Sequence, residues 1–100
     1  MKLSISRRAQ KNLDDIWFYL ASESGSAETA DKVVDSLHEA FGMLRRSPRI
    51  GRSREFDLRP GWRSYPVGHY LIFYRAGSGT VRILSVLHGM RNIPAVLRNR

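Results

Sequence analysis

The fold is decided by the stretch from Trp62 to Arg91, WRSYPVGHYLIFYRAGSGTVRILSVLHGMR. It contains two strand-like runs, His69–Ala76 and Thr80–His88, joined by the short loop Gly77-Ser78-Gly79. Two such runs separated by a short glycine-bearing loop are typical of a β-hairpin. The stretch therefore predicts a pair of antiparallel strands.

The first of these strands is apolar on both of its faces. Successive side chains of a strand point to opposite sides, so Tyr70, Ile72 and Tyr74 line one face. Leu71 and Phe73 line the other. An antiparallel sheet that is solvated on one side alternates apolar with polar residues. Both faces of this sheet therefore need a cover.

The N-terminal residues predict a strand followed by an amphipathic helix. Lys2–Ser6 alternates apolar and polar residues, and either Ser4 or Ser6 is suited to cap the helix behind it. Gly25 is suited to the left-handed position that ends a helix. The apolar residues recur at spacings of three and four, which gives one stripe: Ala9, Leu13, Ile16, Trp17, Leu20 and Ala21.

A second amphipathic helix is predicted from Ala27 to Arg46, with Ser26 as its cap and Pro48 as its stop. Since the two helices are joined so tightly, they should form an antiparallel hairpin. The second apolar stripe comprises Ala30, Val33, Val34, Leu37, Phe41 and Leu44.

The segment between Arg45 and Trp62 is rich in arginine, with proline and glycine as breaks. It predicts a long connection that contains one short strand around Glu55–Leu58 and a turn at Arg59-Pro60-Gly61. Arg63–Val67 resumes an extended pattern, and Pro66 in it indicates a sheet edge or a bulge.

Together these elements predict a single α+β domain over residues 1–100. In it, an N-terminal strand and a two-helix antiparallel hairpin precede a small antiparallel sheet of about four strands, and the helices pack on one sheet face. Pro94 is suited to start a short C-terminal helix, although the same residues could form an irregular tail. The second sheet face is expected to stay apolar and ringed by arginine, as in a protein-binding groove.

Composition and charge limit the possible partners and compartments. The chain has no cysteine and no run of eighteen apolar residues, so we expect a soluble, cytoplasmic protein that contacts no membrane. Residues 1–44 carry five Lys/Arg against seven Asp/Glu, a net charge of −2, and residues 45–100 carry twelve against two, a net +10. These give the +8 of the whole chain. The basic half contains the strands and predicts an anionic partner, either nucleic acid or an acidic protein surface.

The chain has no phosphate-binding glycine loop, no histidine pair at metal spacing and no nucleophilic serine motif, so we expect neither cofactor nor metal. A metal-free ribonuclease needs only a base, an acid and cations. Nothing in the spacing of the candidate residues makes them converge, and surface or strand-end positions are the favoured interpretation of His69 and His88. The candidates are Arg63, Tyr65, His69, Tyr70, Arg82, His88 and Arg91.

Four collinear segments resemble ParE-type toxins of the RelE/ParE superfamily of bacterial toxin–antitoxin modules. They are LSISRRAQKNLDDIWFYL, LRRSPRIGR, RPGWRSYPVGHYLIFYR and VRILSVLHGMRNIPAVL, and they span nearly the whole chain in order. The fold that this resemblance implies is a two-helix hairpin on an antiparallel sheet, as predicted above.

The resemblance also implies a function. ParE-like toxins bind DNA gyrase, and its A subunit is the expected target here. A ParD-like antitoxin wraps the toxin, and the complex binds promoter DNA through the antitoxin. An antitoxin segment would cover the second sheet face, and an acidic tail would suit the arginines. The expected antitoxin contacts are Arg59, Arg63, Leu71, Phe73, Arg75 and Arg82, although Arg75 and Arg82 could equally be cross-strand surface residues. The expected target contacts are His88, Arg91, Val96, Leu97 and Arg98.

The sequence is also compatible with other functions. RelE-like relatives cut messenger RNA on the ribosome with a catalytic set that includes an arginine, and Leu71 stands at the matching position here. Because an apolar residue cannot stabilise a phosphorane, ribonuclease activity ranks second. Asn92 also departs from the acidic residue that is commoner in ParE-like chains. A plain nucleic-acid-binding module and an inactive toxin that retains only antitoxin binding are further alternatives.

Overall fold

The computed structural model describes residues 1–89. Its elements in chain order are β1 (Lys2–Ile5), α1 (Arg7–Ser24), α2 (Ala27–Arg46), β2 (Arg52–Ser53), β3 (Trp62–Val67), β4 (Tyr70–Gly77) and β5 (Thr80–His88). The short C-terminal helix or tail predicted around Pro94 lies outside the described residues. In the described part of the chain, no helix is long and apolar enough to cross a membrane.

The helix boundaries follow the capping residues. Ser6 caps α1, because its hydroxyl accepts a hydrogen bond from the Ala9 amide at 3.0 Å. Gly25 ends this helix with a φ of 67°, in the left-handed region that glycine tolerates best. The Ser26 hydroxyl then accepts from the Thr29 amide at 3.2 Å and starts α2. The predicted helical hairpin is therefore confirmed.

The sheet has five strands in the order β1-β5-β4-β3-β2. β2, β3, β4 and β5 pair antiparallel, whereas β1 pairs parallel to β5, with Lys2 opposite Thr80 and Ile5 opposite Ile83. The prediction of a purely antiparallel sheet was therefore wrong at this edge. A parallel neighbour needs a long crossover connection, and the whole chain between β1 and β5 provides it.

The connection between β2 and β3 also differs from the prediction. No strand forms at residues 55–58; they form a turn, because the Leu58 amide donates to the Arg54 carbonyl at 2.9 Å. The Leu58 amide is then not free to donate to a neighbouring strand. The short strand of this region is instead Arg52–Ser53, which pairs only with Arg63 and Ser64. Pro66 therefore lies where β3 forms the sheet edge, as predicted.

The core lies between the helices and one face of the sheet. Asn12 ties the two layers together, because its side-chain oxygen accepts from the Val86 amide at 3.0 Å. The helices contribute Ala9, Leu13, Ile16, Leu37, Ala40, Phe41 and Leu44, and the strands contribute Ile72, Tyr74, Val81, Ile83 and Val86. The centres of both predicted helix stripes are thus buried against the face that carries Ile72 and Tyr74, whereas Trp17, Ala21 and Val34 are only half-buried.

The sheet face opposite the helices, which we call the far face, has its own small cluster. Phe73 and Leu87 are buried there, and Leu58, Trp62 and Leu71 pack against them. The expectation that the chain leaves this face uncovered was therefore wrong at Phe73, which has no exposed surface. The physical reason is the turn at residues 55–58, which brings Leu58 back over the sheet.

Candidate functional site

A row of polar and charged side chains crosses one end of the far face. Trp62 of β3 lies opposite Arg75 of β4, which lies opposite Arg82 of β5, which lies opposite Ser4 of β1. Residues that face each other on neighbouring strands project from the same side of a sheet. The Arg82 guanidinium donates to the Ser4 hydroxyl at 2.6 Å, and the Arg59 guanidinium lies 5.6 Å from the Trp62 ring centroid.

Arg59, Arg75 and Arg82 are all exposed, and we call these three residues the arginine strip. A guanidinium binds a carboxylate or a phosphate through two parallel hydrogen bonds. Several guanidinium groups along one surface beside an indole ring suit an extended acidic ligand with interspersed apolar groups.

Away from the arginine strip, the far face becomes apolar. Phe73 lies opposite Ser64 on one side and Ser85 on the other, and Leu71 lies opposite Leu87. Leu71 is half-buried, and both serines are buried. The Ser85 hydroxyl has no hydrogen-bond partner among the described residues, whereas the Ser64 hydroxyl accepts from Arg54 at 3.1 Å.

Arg54 is the residue of this face that the sequence did not indicate. Its guanidinium binds both carboxylate oxygens of Asp57, with Nε 3.1 and 3.0 Å from Oδ1 and Oδ2 and Nη2 2.6 Å from Oδ2. It also lies 5.4 Å from the Phe73 ring centroid. The pKa of the Asp57 carboxyl lies below its ordinary value, mainly because of these hydrogen bonds from Arg54. The spacing of an aspartate three residues after an arginine was the available signal.

The structure divides the six predicted antitoxin contacts into two groups. Arg59, Arg75, Arg82 and Leu71 have accessible surface on the far face. Phe73 has none, and Arg63 lies opposite Tyr74 on the helix-covered face. The Arg63 guanidinium donates to the backbone carbonyls of Gly51 at 2.7 Å and Arg49 at 3.4 Å. Arg63 and Phe73 thus stabilise the fold.

Two histidines come together at the other end of the β4–β5 hairpin. The rings of His69 and His88 stack with centroids 6.0 Å apart and an 11° angle between their planes. The Tyr70 ring meets His88 edge-on at 5.6 Å. They line an open depression of about 300 Å³ together with Pro66, Gly68, Leu71 and Gly89.

The favoured positions of these histidines are confirmed, since His69 is exposed and His88 ends β5, but their convergence was not predicted. Counting the hairpin register outward from its loop would have placed residue 69 near residue 88. Two imidazoles at this distance could act as a base and an acid. Arg75 and Arg82, however, pair at the opposite end of the same ladder. The other predicted target residues, Arg91, Val96, Leu97 and Arg98, lie outside the described part of the chain.

No group of three or more His, Cys, Asp or Glu side chains within residues 1–89 is placed to hold a metal ion. The described surface carries the arginine strip and an indole at one end of the β4–β5 hairpin and an imidazole pair at the other.

Residues 3–93 match the family model described as the ParE toxin of the type II toxin–antitoxin system parDE. This chain belongs to the ParE toxin family. It is similar to Toxin ParE1 of Caulobacter vibrioides, with 38% identity over 93 residues, which cover 93% of this chain and 94% of that toxin. The family resemblance inferred from the four segments is thus confirmed.

Two solved structures of toxin–antitoxin systems carry the same fold as this ParE-family chain. A chain of the chromosomal ParDE system from P. aeruginosa superposes with a TM-score of 0.76 and 24% identity, covering 88% of this chain and 95% of that chain. A chain of the toxin–antitoxin complex RelBE2 from Mycobacterium tuberculosis gives a TM-score of 0.57 and 28% identity, with coverage of 87% and 95%. The predicted α+β architecture, two helices packed on a sheet, is confirmed.

Proposed function

We propose that this ParE-family toxin inhibits DNA gyrase by binding its A subunit, without enzymatic turnover, and that a ParD-like antitoxin neutralises it. The observation that carries the antitoxin half of this proposal is the arginine strip beside Trp62. An acidic antitoxin segment that folds on binding could pair its carboxylates with the strip and place apolar side chains near Leu71. The solved ParDE system, one chain of which shares this fold, supports such a partner.

The gyrase half of the proposal is supported by membership of the ParE family. In this proposal His88 and the tail residues Arg91, Val96, Leu97 and Arg98 contact the target. Promoter DNA is bound only indirectly, through the antitoxin.

A supercoiling assay with purified gyrase and relaxed plasmid tests the gyrase half. An inhibitor that acts by binding should block supercoiling only when the toxin approaches the molar amount of gyrase, and added antitoxin should restore the activity. Ribosome-bound messenger RNA should stay intact under the same conditions. Full supercoiling at a large molar excess of toxin would refute gyrase inhibition.

A RelE-like ribonuclease is the second candidate, and the stacked pair of His69 and His88 favours it. One neutral imidazole would remove the proton of the RNA 2′-hydroxyl, and the protonated partner would donate to the leaving 5′-oxygen. The arginine strip does not lie beside this pair, which is why we rank the ribonuclease second. Cleavage of ribosome-bound messenger RNA that His88→Ala abolishes would reverse the order.

The same assays separate the remaining alternatives. A plain nucleic-acid-binding module would bind DNA or RNA with steep salt dependence and would arrest no cells. A toxin remnant would bind the antitoxin tightly and leave both gyrase and messenger RNA unaffected.

A further inference from the structure

Phe56 stands out on the surface of the described chain. Its side chain is fully exposed, at 103% of the reference area, in the turn between β2 and β3. Single exposed apolar residues are common on protein surfaces and need no explanation of their own. Phe56 differs from such residues in its surroundings.

Hydrogen bonds on both sides of Phe56 hold the turn that carries it. The Arg54 side chain binds the Asp57 carboxylate, and the Leu58 amide donates to the Arg54 carbonyl at 2.9 Å, which closes a single helical turn around Phe56. The Gly61 amide donates to the Glu55 carboxylate at 3.2 Å. A flexible loop would let the phenyl ring fold back onto the sheet, whereas this turn holds it outward.

Arg54 and Leu58 also connect this turn to the far face. The Arg54 guanidinium lies over Phe73 and binds the Ser64 hydroxyl, and Leu58 packs in the same cluster as Phe73. The position of Phe56 relative to the sheet is therefore defined before any partner arrives. Such preorganisation reduces the conformational entropy that binding would otherwise cost.

The charges around Phe56 define the edge of the site that would receive it. Both carboxylates of the turn are engaged internally, Asp57 by Arg54 and Glu55 by the Gly61 amide. The cations Arg52 and Arg59 on either side are exposed. A complementary site therefore has an apolar pocket and a rim that carries carboxylates.

We propose that Phe56 anchors this toxin to its target by inserting into a preformed apolar pocket rimmed with carboxylates on a folded protein. This inference rests on the proposed function of the chain as a toxin that acts by binding. A disordered antitoxin segment brings side chains to a groove but has no cavity of its own, whereas a ring held on a rigid turn needs an existing cavity. The Phe56 site thus belongs to the target and shares only Arg59 with the arginine strip, whose Arg75 and Arg82 belong to the antitoxin.

The test compares Phe56→Ala with Phe18→Ala, which removes another exposed phenyl ring, 66% accessible, from α1. Each variant is expressed from a titratable promoter, and the amount of protein needed for growth arrest is measured. We expect Phe56→Ala to need at least about 10-fold more protein, as for an interface hot spot. Phe18→Ala should act like the wild type, and the thermal unfolding midpoint of both variants should be unchanged.

Antitoxin binding provides the second measurement. The Kd for the antitoxin encoded beside the toxin gene should be the same for Phe56→Ala and for the wild type. The variant Asp57→Asn keeps Phe56 but weakens the hydrogen bonds that hold its turn. The amount of this variant needed for growth arrest should lie between the amounts of wild type and Phe56→Ala. Equal potency of Phe56→Ala and wild type would overturn the inference, as would a parallel loss of antitoxin affinity.

Two further outcomes also decide against it. Binding of a single-stranded oligouridine probe that Phe56→Ala weakens would assign the ring to base stacking instead of a protein pocket. A wild-type chain that arrests no growth would refute the proposed toxin function and this inference together. That result is distinguishable from an active wild type whose Phe56→Ala variant is equally active, which refutes the inference alone.

Discussion

The two faces of the sheet are covered by different kinds of structure. Two helices of 18 and 20 residues cover one face and bury Ile72, Tyr74 and Val81 completely. On the far face a turn and a few side chains cover Phe73, while the arginine strip beside it remains exposed. The difference teaches that an apolar strand face does not by itself identify a binding groove, because eight residues of connection were enough to bury Phe73.

The largest expected effect compares a phenyl ring from each face. Phe41→Ala removes a fully buried ring between the helices and the sheet and should cost about 4 kcal/mol of unfolding free energy. Phe73→Ala should cost about 3 kcal/mol, because a turn can collapse into the cavity more easily than a helix. Urea unfolding measures both values. A larger cost for Phe73→Ala would show that the turn is the more rigid cover.

Gly51→Ala tests how tightly the edge of the helix-covered face is closed. A Cβ at this position would clash with the Tyr74 hydroxyl and lie 2.9 Å from the Ser64 carbonyl oxygen. The Tyr74 hydroxyl itself accepts from the Gly51 amide at 2.9 Å and donates to the Pro48 carbonyl at 2.7 Å. We expect a loss of about 2–3 kcal/mol in thermal or urea unfolding. Gly77→Ala, where nothing lies within 4 Å of the added Cβ, is the control and should cost much less.

Charge reversal on the far face should change binding with little change in stability. Arg75→Glu and Arg82→Glu should each weaken antitoxin binding by about 1–2 kcal/mol, because each reverses one cation of the arginine strip. Isothermal titration calorimetry at two salt concentrations measures the effect, which added salt should reduce. The control is Lys11→Glu on the exposed side of α1. Equal losses for all three variants would indicate net charge and not a defined strip.

The smallest expected effect is a pH dependence of the turn that carries Phe56. Because the pKa of Asp57 is lowered in the folded protein, mainly by its hydrogen bonds from Arg54, its carboxylate stabilises the fold above the unfolded-state pKa of about 3.9. This contribution is lost as the pH falls through the lower folded pKa. Wild type should therefore be slightly more stable than Asp57→Asn at pH 7, and the difference in melting temperature should vanish near pH 2. A difference that persists in acid would show that Asp57 stabilises the turn by means other than its negative charge.

Local signals predicted the helical layer and the hairpin correctly because their causes lie within a few residues. Ser6, Gly25 and Ser26 bound the helices as their capping preferences require. The hairpin loop contracts to Ser78-Gly79, both with positive φ, since Gly77 still pairs with Thr80. The extended pattern at residues 55–58, by contrast, was compatible with a strand until its hydrogen bonds to Arg54 were known.

The amino-acid sequence by itself determined the two helices, the hairpin, the basic charge of the strand-bearing half and the ParE family, since spacing, caps and composition are local properties. Only the tertiary structure decided which residues of different elements share a surface. Strand register brought Trp62, Arg75 and Arg82 into one row and stacked His69 on His88. The parallel edge strand depends on contacts between residues distant in sequence, and the turn over Phe73 depends on competing local hydrogen bonds. Alternation of apolar and polar residues reveals neither feature.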